Sequence, residues 1–165
     1  MQRPTSEDLG ALPLFGGLPA EALQRFAERA EMVHVEAGEV VFAEGESARS
    51  LYVLNSGLLD VVKRCPDAPP ERTGPVANGV DVGVAEVHLS PIKPGDCFGE
   101  MSFIDMQPRS ATVRAIEASD LWVWTYASIH ERYCKDQKCA MLLVMNIARE
   151  LSRRLRRTDE LIARK

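Results

Sequence analysis

The sequence lacks any apolar run of about 18 residues or more, the length that a transmembrane helix requires. It also lacks the apolar stretch of a secretory signal peptide, because its first thirty residues carry charged side chains at Glu7, Asp8, Glu21, Arg25 and Glu28. These two absences argue against an integral membrane protein and against an exported one. We therefore expect a soluble protein of the cytoplasm that does not associate with a membrane.

Residue patterns that build metal centres and catalytic sites are also missing. None of the three histidines and four cysteines stands in an HExxH or CxxC spacing. A Walker motif and the GxSxG context of a hydrolase serine are absent as well. In a chain without an export signal, cysteines are expected to be reduced thiols packed in the interior. The sequence therefore predicts a protein that holds no metal and catalyses no reaction.

The chain is short, with 165 residues of which 45% are apolar. That length fits a single domain over residues 1–165, and this apolar content can fill one hydrophobic core. The formal net charge of -4 conceals a basic tail, residues 149–165, where seven lysines and arginines outnumber three acidic residues. Because acidic residues interrupt this tail and no helix-turn-helix follows it, we interpret it as a solvated helix face. We expect no specific binding of DNA by this chain alone.

The apolar pattern divides the chain into three parts. Residues 1–30 show helical periodicity, and residues 127–165 are expected to form C-terminal helices. Residues 31–126 instead consist of short β-branched runs separated by glycine turns, a pattern typical of antiparallel β-structure. The predicted fold class is mainly β with flanking helices: an antiparallel β-roll of the double-stranded jelly-roll type, with an N-terminal helix and two C-terminal helices. The predicted strands are residues 32–35, 40–42, 51–54, 58–62, 84–89, 110–116 and 121–126.

One segment inside the β region cannot be a strand. Residues 65–83 contain four prolines and three glycines, with almost no periodic apolar pattern. Proline removes a backbone donor that a central strand needs. The segment therefore predicts a long, mobile loop between two strands.

The last helix, expected from about residue 137 to the end of the chain, carries an apolar stripe at spacings of three and four residues. Such a stripe can dock on the β-roll or pair with a second copy of the chain. The stripe consists of Ala140, Val144, Ile147, Leu151, Leu155, Thr158 and Ile162.

Residues 93–113 have the composition of an anion-binding site. Gly99 is expected to open a short helical turn and, lacking a side chain, to let a ligand approach the first N–H groups of that turn. Arg109 stands near the start of the next strand, where its guanidinium can bind one anionic group with two parallel hydrogen bonds. The carboxylate of Glu100 would repel an anion unless it faces a hydroxyl donor such as that of a ribose. The sequence therefore predicts a compact anion attached to a sugar.

This stretch resembles the phosphate-binding cassette of the cyclic-nucleotide-binding domain family. The family includes bacterial catabolite activator proteins, regulatory subunits of protein kinase A and nucleotide-gated channels. The resemblance covers nearly the whole chain, with its most specific matches at residues 94–96, 98–100 and 108–111. It implies that the ligand is a cyclic nucleotide, cyclic AMP or cyclic GMP.

The resemblance also implies a role for each matching residue. Glu100 would bind the ribose 2′-hydroxyl, and Arg109 would pair with the cyclic phosphate. Further phosphate contacts would come from Gly99, Ser110 and Ala111. The full set of nucleotide-binding residues implied for this part of the chain is Phe98, Gly99, Glu100, Met101, Ser102, Arg109, Ser110 and Ala111.

The last helix extends the resemblance to the base. Residues 152–160 are similar to the segment from which catabolite activator proteins supply a threonine to adenine, and this implies that Thr158 meets the purine. A hydroxyl can donate to a ring nitrogen or accept from the adenine amino group, so cyclic AMP is expected over cyclic GMP. Ser110 works against this preference, because some family members use a hydroxyl near this position toward guanine. Thr158 can also be interpreted as a small residue that lets two helices pair.

Partners follow from the same resemblance. It implies a homodimer that forms through the stripe of the last helix, and a signal that travels by movement of that helix. Two features depart from the family: the 65–83 loop is longer than usual, and no DNA-reading module follows the last helix. An unidentified effector protein is therefore expected as a partner, unless the effector is a part of the protein missing from this sequence. The alternative is a degenerate member that keeps the fold as a non-binding interaction or dimerisation module.

Overall fold

The computed structural model of the protein describes residues 2–65, 85–133 and 136–163. The chain divides into two compact units. The first, called here the sheet unit, comprises Glu31–Tyr126. The second, called here the helical unit, combines Gln2–Ala30 with Ala127–Lys165. The helical unit is therefore assembled from two segments that lie on either side of the sheet unit in the sequence.

The sheet unit contains eight strands and one short helix, α3, among its described residues. Their bounds are β1 Glu31–Val35, β2 Val40–Phe42, β3 Ser50–Ser56, β4 Leu59–Cys65, β5 Ala85–Ile92, β6 Cys97–Phe98, α3 Glu100–Asp105, β7 Thr112–Ala115 and β8 Ser119–Thr125. Two four-stranded sheets result, in the orders β1-β8-β3-β6 and β2-β7-β4-β5. All of these neighbours pair antiparallel. The predicted class, an antiparallel β-roll with flanking helices, is confirmed.

Strand β8 shows why this sequence makes a packed roll. It lies between β1 and β3, and its residues 121–124 are all buried, on both faces of the strand. A strand that is covered on both sides reads as a continuous apolar run rather than as an alternation. The main apolar cluster of the unit consists of Val35, Phe42, Leu54, Leu59, Ile92, Phe98, Val113, Ala115, Leu121 and Val123.

The strand bounds differ from the sequence prediction at several ends. Strand β4 extends to Cys65, the first residue of the predicted loop, β7 begins at Thr112 instead of residue 110, and Tyr126 begins α4 instead of ending β8. Two further differences concern β6 and β5. The two-residue β6 was not predicted, because it is too short to show any periodicity. Strand β5 extends to Ile92 and includes Pro91, which stands opposite Asp60 of β4. Proline is tolerated there because β5 is an edge strand, with no further partner on its outer side among the described strands. The predicted mobile loop, residues 65–83, lies outside the described residues apart from Cys65, and its mobility stays a prediction.

The helical unit contains four α-helices and one 3-10 turn among its described residues. They are α1 Ser6–Gly10, the 3-10 turn Pro13–Phe15, α2 Ala20–Arg29, α4 Tyr126–Tyr133, whose first residue belongs to the sheet unit, and α5 Gln137–Ala163. Helix α1 begins with a reciprocal capping box between Thr5 and Asp8, which satisfies backbone donors at the helix start. None of the described helices combines the length and the apolar character that crossing a bilayer requires.

A buried asparagine joins α5 to the 3-10 turn. Asn146 donates from Nδ2 to the carbonyl oxygens of Leu14, at 3.0 Å, and Gly16, at 2.9 Å. Its Oδ1 accepts a hydrogen bond from Nη1 of Arg149 at 2.9 Å. Because every polar atom of this amide is paired, the cost of burying it is met within the helical unit.

The apolar stripe predicted on α5 does not form one packed face. Ile147 is buried, whereas Val144 is 49% exposed and Leu155 is 62% exposed. Among the α5 side chains whose burial the structure describes, the others that are buried are Cys139, Leu143 and Asn146, which lie outside the predicted stripe. The helix therefore has one buried face and one exposed apolar face, and the sequence pattern mixed residues from both.

Candidate functional site

The predicted anion-binding stretch folds around a position where only glycine fits. Gly99 is the N-cap of α3 and has φ +75°, in the left-handed region that side chains disfavour. A Cβ at this position would lie 2.7 Å from Nη1 of Arg109 and 2.9 Å from the carbonyl oxygen of Ser50. The absence of a side chain therefore lets the backbone of Gly99 approach Arg109 closely. The predicted approach of a ligand to the N–H groups of this turn stays a prediction.

The backbone of Arg109 is fixed to the turn that follows β2. Its N–H donates to the carbonyl oxygen of Glu46 at 2.9 Å, and its own carbonyl accepts from the N–H of Gly45 at 2.8 Å. Paired bonds of this kind hold the residue as a strand pair holds its members. Arg109 therefore enters the site from a fixed position rather than from a free loop.

The guanidinium of Arg109 is buried, with only 3% of the residue exposed. Nη1 donates to the carbonyl oxygen of Gly99 at 2.9 Å and to Oγ of Ser102 at 2.7 Å. Nη2 donates to the carbonyl oxygen of Ser50 at 3.1 Å. The guanidinium carbon lies 4.1 Å from the ring centroid of Phe42, a cation–π distance. These contacts fix the plane of the guanidinium.

One donor of this buried cation has no partner. Among the buried side-chain nitrogen and oxygen atoms that the structure describes, Nε of Arg109 alone makes no hydrogen bond. Leaving a buried donor unpaired costs about 1 to 3 kcal/mol. Nε shares an edge of the planar guanidinium with Nη2, and such an edge can present parallel N–H donors to an anion. The arrangement suits a phosphate or carboxylate that would pair with Nε.

The electrostatics of the site also favour an anion. Burial lowers the pKa of Arg109 from its ordinary value, while Tyr52 and the carboxylates of Glu46 and Glu100 act in the opposite direction. Arginine still keeps its proton in proteins, so the site holds a desolvated positive charge. Taking a charge out of water is costly unless an opposite charge compensates it, and a bound anion would do so.

Two further predicted residues lie at the start of α3. Glu100 and Ser102 are each 3% exposed, which is unusual for polar side chains. The hydroxyl of Ser102 donates to the carbonyl oxygen of Gly99 at 3.3 Å in addition to accepting from Arg109. Glu100 interacts electrostatically with Arg109 and places a buried carboxylate, an acceptor for hydroxyl groups, beside the cation.

The remaining predicted residues occupy different surroundings. Phe98 is buried and stacks on Tyr52, with ring centroids 5.0 Å apart. Met101 is exposed, and its sulfur accepts a hydrogen bond from the hydroxyl of Ser110 at 3.6 Å. Ala111 is buried at the entry to β7. All eight residues predicted between positions 98 and 111 therefore belong to the sheet unit.

Thr158, the ninth predicted residue, belongs to the helical unit. It is exposed on α5, and its hydroxyl donates to the carbonyl oxygen of Arg154 at 3.1 Å, one turn earlier in the helix. This is a common local bond of threonine in helices, and it leaves the hydroxyl able to accept a further hydrogen bond. Its predicted role toward a base stays a prediction.

Sequence reasoning missed the residues that surround Arg109. Phe42 and Tyr52 lie against its guanidinium, and the carbonyl of Ser50 binds Nη2. Their aromatic and backbone contacts leave no short motif, because the three residues belong to β2 and β3, far from Arg109 in sequence. The described residues contain no group of three or more histidine, cysteine or acidic side chains arranged to hold a metal ion.

Comparison with known proteins gives consistent findings. Residues 32–134 match the family described as the cyclic nucleotide-binding domain. Over 95% of its length, the chain is 28% identical to the CRP-like cAMP-activated global transcriptional regulator of Mycobacterium tuberculosis, and it spans 61% of that protein. The chain thus spans about three fifths of the length of this curated relative.

Solved structures show the same fold. The chain is similar to a cyclic nucleotide-binding domain from Methylobacillus flagellatus, with a TM-score of 0.77 and 19% identity over 96% of this chain and 81% of that one. It is also similar to the regulatory domain of Toxoplasma gondii PKA, solved with cAMP, with a TM-score of 0.60 and 25% identity over 76% of this chain and 42% of that one.

Proposed function

Because the chain belongs to the cyclic nucleotide-binding domain family, we propose that its sheet unit binds a cyclic nucleotide, cyclic AMP in preference to cyclic GMP. Binding would serve regulation, and we assign the chain no catalytic role and no metal cofactor. The cytoplasm is the proposed compartment, on the sequence features given above. The unpaired, buried Nε of Arg109 is the observation that carries this proposal.

The cyclic phosphate is the part of the ligand that fits Arg109. A phosphodiester carries a single negative charge on two free oxygens, which can face the Nε edge of the guanidinium. The phosphate would pair the orphaned donor and compensate the buried charge at once. Gly99, Ser110 and Ala111 are the proposed source of further phosphate contacts, since they flank this arginine in the sheet unit.

Glu100 is proposed to bind the ribose. A carboxylate beside a phosphate site weakens anion binding unless it accepts a hydrogen bond from another part of the ligand. The 2′-hydroxyl of a ribose is such a donor, and a carboxylate–hydroxyl bond is charge-assisted. The burial of Glu100 at 3% exposure makes this bond stronger than it would be in water.

The preference for cyclic AMP is supported by two similar proteins and by one residue of this chain. The M. tuberculosis relative is described as cAMP-activated, and the T. gondii domain was solved with cAMP. On this chain, Thr158 carries a hydroxyl that could accept from the adenine amino group or donate to a ring nitrogen. Movement of α5 is the proposed signal, since a ligand that contacts this helix in one state shifts the equilibrium toward that state.

The exposed apolar face of α5 is proposed to pair two copies of the chain. Its most exposed members are Met141 at 58%, Val144 at 49% and Leu155 at 62%. Helices that present such residues at three- and four-residue spacings associate to remove them from water. An effector protein, still unidentified, would read the change in this dimer.

Titration calorimetry of the purified protein with cyclic AMP, cyclic GMP, 2′-deoxy cyclic AMP and 5′-AMP tests the proposal. We expect the wild-type protein to bind cyclic AMP saturably and its 2′-deoxy analogue more weakly. The Glu100→Gln variant should bind cyclic AMP more weakly still. At a concentration of about 100 times the dissociation constant, ligand should stabilise the fold by about 2.7 kcal/mol. For a chain of this size that raises the melting temperature by about 5 to 10 °C.

A protein that binds none of these ligands at millimolar concentration would refute the sensor function. The fold would then serve as an interaction or dimerisation module, and light scattering would report its oligomeric state. Equal affinity for cyclic AMP and its 2′-deoxy analogue would leave the phosphate assignment standing and remove the role given to Glu100.

A further inference from the structure

A lysine outside the proposed nucleotide contacts reaches the same segment from β4. Nζ of Lys63 donates to the carbonyl oxygen of Ser110 at 2.6 Å. The same nitrogen pairs with Oε1 of Glu44 at 3.1 Å. A cation that donates to a backbone carbonyl at this distance makes a short, charge-assisted hydrogen bond. Lys63 is thereby tied to the residue that follows Arg109.

Glu44 holds this lysine in place. Its Oε2 accepts from the backbone N–H of Arg64 at 3.0 Å, and its own N–H donates to the hydroxyl of Thr112 at 3.0 Å. The hydrogen bond from the Arg64 backbone, with help from the Lys63 ammonium, lowers the pKa of Glu44 below its ordinary value. Glu44 is therefore charged at neutral pH and bound to both β4 and β7.

The bond to Ser110 has a consequence for the next residue. The Ser110 carbonyl and the Ala111 N–H belong to one planar peptide unit, and the described chain has no cis peptide bonds. In a trans peptide the C=O and the N–H point in opposite directions. Fixing the oxygen on Lys63 therefore fixes the direction of the Ala111 N–H. Donation to the carbonyl also polarises the peptide unit and makes that N–H a stronger donor.

We propose that the Glu44–Lys63 ion pair is a positioning device that orients and polarises the Ser110–Ala111 peptide, so that the Ala111 N–H serves as a phosphate donor. Lys63 acts through this peptide and does not touch the nucleotide. The inference rests on the proposed function, because it concerns the same phosphate. It adds two residues, Glu44 and Lys63, whose contribution no motif reveals. The ammonium of Lys63 binds the carbonyl side of the Ser110–Ala111 peptide, and the N–H side faces the phosphate.

The experiment measures cyclic AMP affinity by calorimetry and the amide spectrum of the nucleotide-free protein by NMR. Lys63→Met should weaken cyclic AMP binding about three- to tenfold, the effect of one charge-assisted hydrogen bond at a half-exposed position. The Ala111 amide proton should shift upfield in the free protein, because its peptide loses a cationic partner. Lys63→Arg should restore most of the affinity, since it keeps a charged donor.

Two controls separate positioning from simple attraction of an anion. Lys93→Met removes the same charge from an exposed lysine of the sheet unit, and it should change the affinity less than twofold. Glu44→Gln removes a negative charge, which by long-range attraction alone would tighten the binding of an anion. The positioning role predicts weaker binding instead, because Lys63 loses the partner that fixes it.

Each outcome bears on one claim. If wild-type protein binds cyclic AMP but Lys63→Met binds it equally well, or if Glu44→Gln binds more tightly, the positioning role is wrong while the proposed function stands. An unmoved Ala111 amide signal in Lys63→Met would also overturn it, with or without nucleotide. If wild-type protein binds no cyclic nucleotide while the Ala111 signal still shifts, the proposed function fails and the link from Lys63 to this peptide is upheld.

Discussion

The carbonyl oxygen of Gly99 accepts a hydrogen bond from Nη1 of Arg109 at 2.9 Å, and a Cβ on Gly99 would stand 2.7 Å from that same nitrogen. The two residues are therefore mutually dependent. Arg109 can approach this backbone only because Gly99 carries no side chain. Its hydrogen bond to the Gly99 carbonyl in turn fixes the start of α3.

Gly99→Ala should disturb both the fold and the site. The new methyl group would meet Arg109, and the left-handed backbone adds its own cost, so we expect a loss of stability of about 2 to 4 kcal/mol. Gly38→Ala is the matched control, because Gly38 has φ +88° but nothing within 4 Å of its Cβ position. It should cost only about 1 to 2 kcal/mol and leave nucleotide affinity unchanged. Chemical denaturation and calorimetry of both variants measure the difference, and equal effects would contradict the steric argument.

Arg109→Lys should remove most nucleotide binding while it keeps the charge. An ammonium group cannot present the Nε edge of a guanidinium, and we expect affinity to fall about 100-fold. Arg109→Ala is the less informative variant, because it also leaves the carbonyls of Gly99 and Ser50 without their donor. Arg114→Lys, on the neighbouring β7, serves as the control. Unchanged cyclic AMP affinity in Arg109→Lys, measured by calorimetry, would show that the paired N–H donors of the guanidinium do not bind the phosphate.

Thr158→Ala tests whether α5 reads the base. We expect a lower affinity for cyclic AMP and little change for cyclic GMP, because the hydroxyl is assigned to the adenine edge. Ser152→Ala removes another exposed hydroxyl from the same helix and should alter neither affinity. Hydrogen exchange of residues 149–163 should slow when cyclic AMP binds. Equal losses for both nucleotides would assign Thr158 to helix pairing instead.

Asn146→Ala should destabilise the helical unit. It would leave the carbonyl oxygens of Leu14 and Gly16 without their shared donor, at a cost of about 2 to 3 kcal/mol. Arg156→Ala changes an exposed, polar position of the same helix and should cost less than about 0.5 kcal/mol. Denaturation monitored by circular dichroism compares the two variants. A neutral Asn146→Ala would mean that water replaces the amide without loss.

The pH dependence of stability should report His34. A hydrogen bond to Asp120 at 2.6 Å, supported by the charges of Asp120 and Glu36, raises the pKa of His34 above its ordinary 6.5. Because the folded state binds the proton more tightly, this contribution is full below pH 6.5 and is lost as pH rises through the raised pKa. His34→Gln should flatten the decline above that pH. A decline of the same size in both proteins would assign it to other groups.

Much of the site could be predicted from sequence, and the reason is local. Gly99, Glu100 and Arg109 lie within eleven residues, and their chemistry depends on short-range features such as a helix start and a left-handed turn. The surroundings of the arginine could not be predicted. Phe42, Ser50 and Tyr52 reach it through strand pairing, and a packing contact between distant strands leaves no pattern in either one.

For the last helix, the sequence pattern predicted the position of the helix but not which of its residues are buried. The sequence located α5 from residue 137, but its apolar stripe mixed the buried Ile147 with the exposed Val144 and Leu155. A stripe shows which residues are apolar without showing which neighbour covers them. The buried face is marked instead by Asn146, a polar residue whose partners, Leu14 and Gly16, lie at the other end of the chain.

The pairing of Asn146 with Leu14 sets an order for folding on the ribosome. The two residues are 132 positions apart, so the 3-10 turn leaves the ribosome long before the helix that completes its hydrogen bonds. All strands of the sheet unit are synthesised in that interval, and domains generally fold as units while the chain emerges. The carbonyls of Leu14 and Gly16 therefore stay hydrated until α5 supplies the Asn146 amide.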